Sequence, residues 1–183
     1  MMNFQTDVLI IGGGLAGLTA ALHLQKAGLE VILVEKNTYP HHKVCGEYIS
    51  NEVLPYLQWL DADPAVLRPA VINRFQFSVI SGKSIMTRLP LGGFGISRFN
   101  LDHFLCQQFI SRGGTVLQDT VINVDFQTGT GYRAEGTSHR VPEDRAGFRA
   151  VTSAGRQISA RQVIGAYGKR SAIDLKLKRA FIK

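Results

Sequence analysis

Three glycines, Gly12, Gly14 and Gly17, follow directly on an apolar run in "DVLIIGGGLAG", and an acid, Glu35, stands 18 positions beyond the last of them. This spacing suits diphosphate chemistry. Gly12 permits a sharp turn, Gly14 lets main chain approach a pyrophosphate, and Gly17 lets a helix pack closely on a strand. The amides opening that helix then face an anion. A carboxylate at the tip of the next strand can accept hydrogen bonds from both ribose hydroxyls of an adenosine, and repels a 2′-phosphate. The glycines alone do not separate NAD from FAD.

Other reactive residue types are sparse. His41, His42 and Cys45 lie close together, but no second Cys or His cluster supplies a fourth ligand, so no metal site is expected. His139 stands alone in a polar stretch. No Ser-His-Asp set or carboxylate pair stands out for hydrolysis.

The elements that must position these residues are legible around them. Asp7 to Ile11 is apolar without alternation, as in a parallel strand buried on both faces. Leu15, Leu18, Ala21 and Leu22 give a helical period ending at Gly28, and Val31 to Val34 reads as a second buried strand. Pro40 lies in the following loop. Ser50 is expected to cap a helix with Val53, Leu54, Leu57 and Leu60 as its apolar positions and Pro55 limiting its regularity. Val71, Phe75, Phe77 and Val79 alternate as a strand, "SGKS" turns, and "IMTRLP" returns, a hairpin-like excursion. Asn100 is expected to cap a helix with Asp102 in its first turn, a buried stripe of Leu101, Phe104, Leu105, Cys106 and Ile110, and a stop at Gly113. Strands are expected at 115–117, in "TVINVDF", at 148–152 and at 162–166, with a long surface loop or ragged hairpin tip over 127–147.

Composition bounds the class. The 183 residues are 45% hydrophobic and 19% charged, enough for a globular domain with a real core. A net charge of +7 favours anionic partners. Residues 169–183 concentrate basic side chains among Ile173, Leu175, Leu177 and Phe181. They read as a solvated basic face, with peripheral membrane contact as the alternative. No nucleic-acid reader module accompanies the charge. Two distant cysteines, Cys45 and Cys106, and no leader or spanning segment point to a reducing, cytoplasmic setting.

Four blocks, "DVLIIGGGLAGLTAALHLQKAGLEVILVEK", "KVCGEY", "GISRFNLDHFL" and "VIGAYGKRSAIDLKLKR", occur in an order that resembles the FAD-dependent oxidoreductase superfamily of geranylgeranyl reductases, flavin halogenases and single-component aromatic monooxygenases, the first branch most closely. The resemblance implies an α/β fold: a Rossmann-like FAD-binding domain with a parallel sheet over 1–67 and 91–183, a small antiparallel excursion, and part of an antiparallel substrate-domain sheet over 68–90. In that scheme "LGGFG" returns the chain to the cofactor domain.

The resemblance implies FAD contacts at Gly12, Gly14, Leu15, Ala16, Gly17, Glu35, Lys36, Cys45, Gly46, Glu47, Arg98, Val121 and Gly168. Among these, Cys45 is either a reactive residue or a small buried thiol, Arg98 serves the phosphates or ribityl chain, and Val121 offers main chain to adenine. It also implies reduction of prenyl-chain double bonds or hydroxylation of an aromatic ring, on a small-molecule or prenyl-lipid substrate. NAD(P)H is the implied external reductant, although Tyr167 stands where the family has an aspartate. A later Gly-Asp segment of the family has no counterpart here. The resemblance therefore implies the N-terminal part of a longer enzyme; the alternative is a non-catalytic nucleotide-binding remnant that assembles with a partner chain.

Overall fold

A computed structural model describes residues 2–45, 47–128, 146–168 and 173. The chain divides into two compact units, residues 1–38 with 106–183, and residues 39–105. The expectations for residues 129–145, including His139, and for the basic segment apart from Ile173, lie outside the described residues.

The first unit is built on strand β1 (Asn3–Ile11), helix α1 (Leu15–Lys26) and strand β2 (Val31–Glu35). Every residue of β2 is buried, as are the last four of β1, which is why neither strand alternates in sequence. Gly17, Leu18, Ala21 and Leu22 form the buried face of α1. Gln25 Nε2 of α1 donates to the carbonyls of Phe109 and Arg112 at 3.3 and 3.0 Å, satisfying acceptors that a helix end leaves open.

The strands numbered β6 (Thr115–Gln118), β7 (Val121–Gln127), β8 (Gly147–Thr152) and β9 (Gln157–Gly165) complete a six-stranded sheet of order β6-β2-β1-β9-β8-β7. The first four in that order run parallel, and β9-β8-β7 is antiparallel. Sheet closure follows from a length argument. Six strands about 4.8 Å apart span roughly 24 Å, yet β6 and β7, at opposite ends of the order, are joined by Asp119 and Thr120 alone, which reach at most about 11 Å. The sheet must curl. The inside of the curl is the core, where Leu9, Ile11, Ile32 and Val34 meet Val121, Ala150, Ile158, Ala160 and Ile173.

Asp119 fastens the link. One carboxylate oxygen accepts from Thr120 N–H (2.7 Å), Ser153 Oγ (2.7 Å) and Ala154 N–H (3.3 Å), and the other accepts from Arg156 Nη1 at 2.6 Å. Burial alone would raise this carboxyl, but hydrogen bonds from Thr152, Ser153, Thr120 and Ala154 bring it down to about 2.

The second unit holds a three-stranded antiparallel sheet of order β3-β5-β4: β3 (Tyr48–Ser50), β4 (Ala70–Ser78) and β5 (Ser84–Gly95). Ser50 caps as expected, accepting from Glu52 N–H, but it opens a 3-10 turn over Asn51–Val53 that runs into the short helix α2 (Leu54–Trp59). The "LGGFG" stretch is the end of β5, pairing with β3 and β4 through Gly93 and Gly95. Phe75, Phe77, Ile85 and Met86 on the β4–β5 hairpin are all more than half exposed.

Helix α3 (Arg98–Ser111) corrects two expectations. Its cap is Ser97, whose Oγ accepts from Asn100 N–H at 3.3 Å, so Asn100 lies inside the first turn. Its buried stripe runs through Leu101, Leu105, Cys106 and Phe109, leaving Ile110 half exposed. Burial pushes the Cys106 thiol up to about 11.

Candidate functional site

In the first unit the glycine turn connects the end of β1 to the start of α1. Gly12 has φ +106°, and a Cβ there would lie 2.5 Å from the Ala166 carbonyl oxygen. A Cβ on Gly17 would lie 1.9 Å from the Gly12 carbonyl oxygen. No larger residue fits either position without moving backbone, so the glycines hold α1 tightly against the strand ends. Gly14 is the N-cap, in extended conformation, and among the described residues no side chain caps α1. An α-helix leaves its first amides without intrahelical partners, and here that end carries the positive pole of the helix dipole. Leu15 and Ala16 form the opening turn, Ala16 exposed.

Glu35 ends β2 beside this turn. It is 6% exposed. One carboxylate oxygen accepts from Gly13 N–H at 2.7 Å and the other from Asn37 N–H at 3.0 Å. A carboxylate has about four acceptor positions, so two bonds leave capacity for hydroxyl donors. Lys36 is exposed next to it. The ends of β1, β2 and β9 share one edge of the sheet, with Ile11 opposite both Val34 and Gly165. Residues 166–168 leave that edge beside Gly12, and Gly168 is exposed with φ +79°. The order departs from β1 in two directions at this edge, the topological switch point where open parallel sheets bind ligands. Val121 starts β7 three residues after Gln118, the register partner of Glu35, and its side chain lies in the core.

The second unit carries Cys45, Glu47 and Arg98, whereas Gly46 lies outside the described residues. Cys45 is exposed, in contrast to the alternative of a buried thiol. Its sulfur accepts from Glu47 N–H at 3.4 Å and meets the Arg98 guanidinium. Glu47 is exposed and adopts φ +56°, a costly conformation for a residue with a Cβ. Arg98 donates through Nε and Nη2 to the two oxygens of Asp102, at 2.7 and 2.8 Å. That hydrogen bonding raises the guanidinium further above its ordinary value, against the opposing effect of burial. Lys43 Nζ lies 3.4 Å from the same carboxylate. His42 packs on Phe99 with ring centroids 4.7 Å apart.

Asp102 and Lys43 were not among the residues expected at a site. The signal for Asp102 was available in the Arg-x-x-x-Asp spacing, which places the two side chains on one helix face. Lys43 had no such signal, because its partner is distant in sequence. Among the described residues no group of three metal-ligating side chains forms, and no helix is long and apolar enough to cross a membrane.

A sequence model of the FAD binding domain matches residues 5–182. The chain belongs to the FAD binding domain family. It is 28% identical over 139 residues to digeranylgeranylglycerophospholipid reductase 1 of Methanothermobacter thermautotrophicus, a match spanning 72% of this chain and 34% of that one. It is 41% identical over 56 residues to the flavin-dependent halogenase armH3 of Armillaria mellea, spanning 31% of this chain and 11% of the halogenase. The crystal structure of p-nitrophenol 4-monooxygenase PnpA from Pseudomonas putida superposes with a TM-score of 0.74 at 16% identity, covering 97% of this chain and 44% of that one, a likeness of fold. The chain spans less than half the length of each of these proteins.

The first unit's residues fit the family's cofactor. The Gly12–Gly17 turn brings backbone rather than side chains to the helix mouth, and Glu35 adds a buried acceptor beside it.

Proposed function

We propose that the chain is the FAD-binding part of an FAD-dependent oxidoreductase that reduces carbon-carbon double bonds of a prenyl chain. The observation carrying the cofactor reading is the Glu35–Gly13 hydrogen bond at an uncapped helix start. In this reading the amides of Leu15 and Ala16 bind the diphosphate, Glu35 accepts from ribose hydroxyls, Lys36 flanks it, and main chain at Val121 and Gly168 approaches the cofactor. Arg98 serves its phosphates or ribityl chain. Cys45, Gly46 and Glu47 serve the flavin or the substrate beside it, with Cys45 as the candidate catalytic group. When bound, FAD supplies two-electron redox chemistry, while protein groups orient it and exclude water. NAD(P)H is the proposed external reductant.

Support for the prenyl substrate comes from the archaeal reductase, whose match covers 72% of this chain. The exposed apolar side chains of the β4–β5 hairpin are chemically suited to a hydrophobic substrate. Purified protein reconstituted with FAD should absorb near roughly 450 nm. Reduced under anaerobic conditions, it should regain that absorbance on addition of a prenyl lipid and not of a phenol. Reoxidation linked to hydroxylation of a phenol once dioxygen is admitted would favour aromatic chemistry instead. A colourless protein that cannot be reconstituted would favour the non-catalytic remnant needing a partner chain.

A further inference from the structure

The β4–β5 hairpin is a ribbon whose two faces differ in chemistry. Directly opposed residues of an antiparallel pair share a face, as do alternate residues of one strand. The register sets Phe77 against Ile85 and Phe75 against Thr87, which makes one face apolar. On the other face it sets Arg74 against Arg88 and Gln76 against Met86. Like charges directly opposite repel, so the Arg74–Arg88 pair favours an anion brought from outside the hairpin. The sequence supplies none nearby: no acid occurs between Asp63 and Asp102, a stretch that holds Arg68, Arg74, Lys83, Arg88 and Arg98. At the tip, Ile80 is fully exposed, in a turn closed by the hydrogen bond from Val79 N–H to the Lys83 carbonyl at 3.0 Å.

A contiguous apolar surface open to water marks a contact with protein or membrane, and a two-stranded ribbon is marginal by itself. A second copy paired symmetrically through this hairpin would set its cations against their own kind. A bilayer rich in anionic lipid supplies both missing partners at once, acyl chains for Ile80, Phe77 and Ile85 and negative headgroups for Arg74, Lys83 and Arg88. β3 pairs only with residues 93–95 of β5, so the ribbon is two strands wide over 74–78 and 84–88. Long arginine stems reach past its edges to headgroup level.

We infer that the β4–β5 hairpin is a membrane-docking element, which sets its apolar tip and face into the surface of an anionic bilayer. This goes beyond the proposed function and needs no bound FAD. It places membrane contact on the hairpin rather than on the basic residues 169–183.

The test is cosedimentation of the purified chain with vesicles of phosphatidylcholine alone and of phosphatidylcholine with about 30% phosphatidylserine. The wild-type chain should bind the anionic vesicles at least about tenfold more tightly than the neutral ones, and should be released as salt rises from about 0.1 M to 1 M. R74Q/R88Q should weaken binding about 30-fold, roughly fivefold for each cation. Its melting temperature should be equal or higher, because the opposed charges are gone. I80D should abolish binding with no change in melting temperature, since Ile80 makes no buried contact to lose. Equal binding to neutral and anionic vesicles would overturn the inference. So would wild-type binding by both variants, which would assign the contact to another part of the chain. Absence of vesicle binding together with self-association that I80D removes, followed by light scattering, would overturn it in favour of a second copy. Failure of the wild-type chain to bind FAD in a separate titration would bear on the proposed function alone.

Discussion

The carboxylate of Glu35 and the backbone N–H of Gly13 are hydrogen-bonded at 2.7 Å, although 22 residues separate them. The bond ties the tip of β2 to the turn that opens α1, so the acid shapes the turn, and in the proposed function the same acid grips a sugar. Two roles on one side chain can be separated by experiment.

Replacing Glu35 with Gln keeps one acceptor oxygen but sets an NH2 group against one of the two backbone N–H groups that the carboxylate now receives. A buried donor left without its acceptor costs about 1–3 kcal/mol. Urea unfolding of Glu35→Gln should show a loss in that range, with an unchanged denaturant slope.

Gly17→Ala should be among the most damaging small substitutions in the chain. Its Cβ would sit 1.9 Å from the Gly12 carbonyl oxygen, so α1 must move off the strand ends. A cost of about 1–3 kcal/mol or more follows from overpacking. Gly155→Ala, with φ +75° but open space around it, should cost only about 1 kcal/mol from backbone strain. Paired denaturation curves check the ranking.

Much of this arrangement was legible because it is local. The run Val8–Ile11, the glycines, the period of α1 and the acid at position 35 all act over short distances, and the strand-turn-helix-strand unit formed where it was expected. Pairing of β1 with β9 was not legible, since it joins residues 3–11 to residues 157–165 and no local pattern encodes the partner. The same limit hid the curl of the sheet and the clamp at Asp119. Around α3 the error was one of competing signals: Ser97 and Asn100 are both good caps, and the residue that wins is the one placed by the end of β5. Ile110 and Phe109 are adjacent apolar residues, and only the position of the neighbouring element decides which is buried. For the candidate site, spacing marked the glycines and Glu35. The geometry around Arg98 depends on Lys43 and Cys45 arriving from a distant loop.

Acid should loosen the closure of the sheet. The Asp119 carboxyl is held down at about 2 from an ordinary 3.8, so its contribution to stability is fully present above the ordinary value. It is lost as pH falls from about 3.8 through about 2. Asp119→Ala, which leaves Ser153, Ala154 and Arg156 without their acceptor, should cost about 1–3 kcal/mol at neutral pH. The substitution should also flatten the stability profile over that acidic window, as followed by melts from pH 2 to about pH 5.

The two cysteines should differ sharply in reactivity. Cys45 is exposed, whereas Cys106 is buried with its thiol pushed up to about 11. Thiolate is the reacting form. Brief alkylation with iodoacetamide near pH 8 followed by peptide mass analysis should find the adduct at Cys45 and leave Cys106 unmodified until the protein is denatured.

The central claim is that main-chain amides at the start of α1 receive the diphosphate of FAD, and Gly14→Asp tests it most directly. Gly14 already has an extended N-cap conformation that aspartate adopts readily, and no side chain among the described residues caps the helix. An aspartate there would accept from the helix amides and stabilise the fold by up to about 1 kcal/mol, while setting a negative charge where the diphosphate belongs. Fluorescence titration should show saturable FAD binding by the wild-type chain and its loss in Gly14→Asp, with a melting temperature equal or higher. Equal FAD affinity in the two proteins would contradict the account.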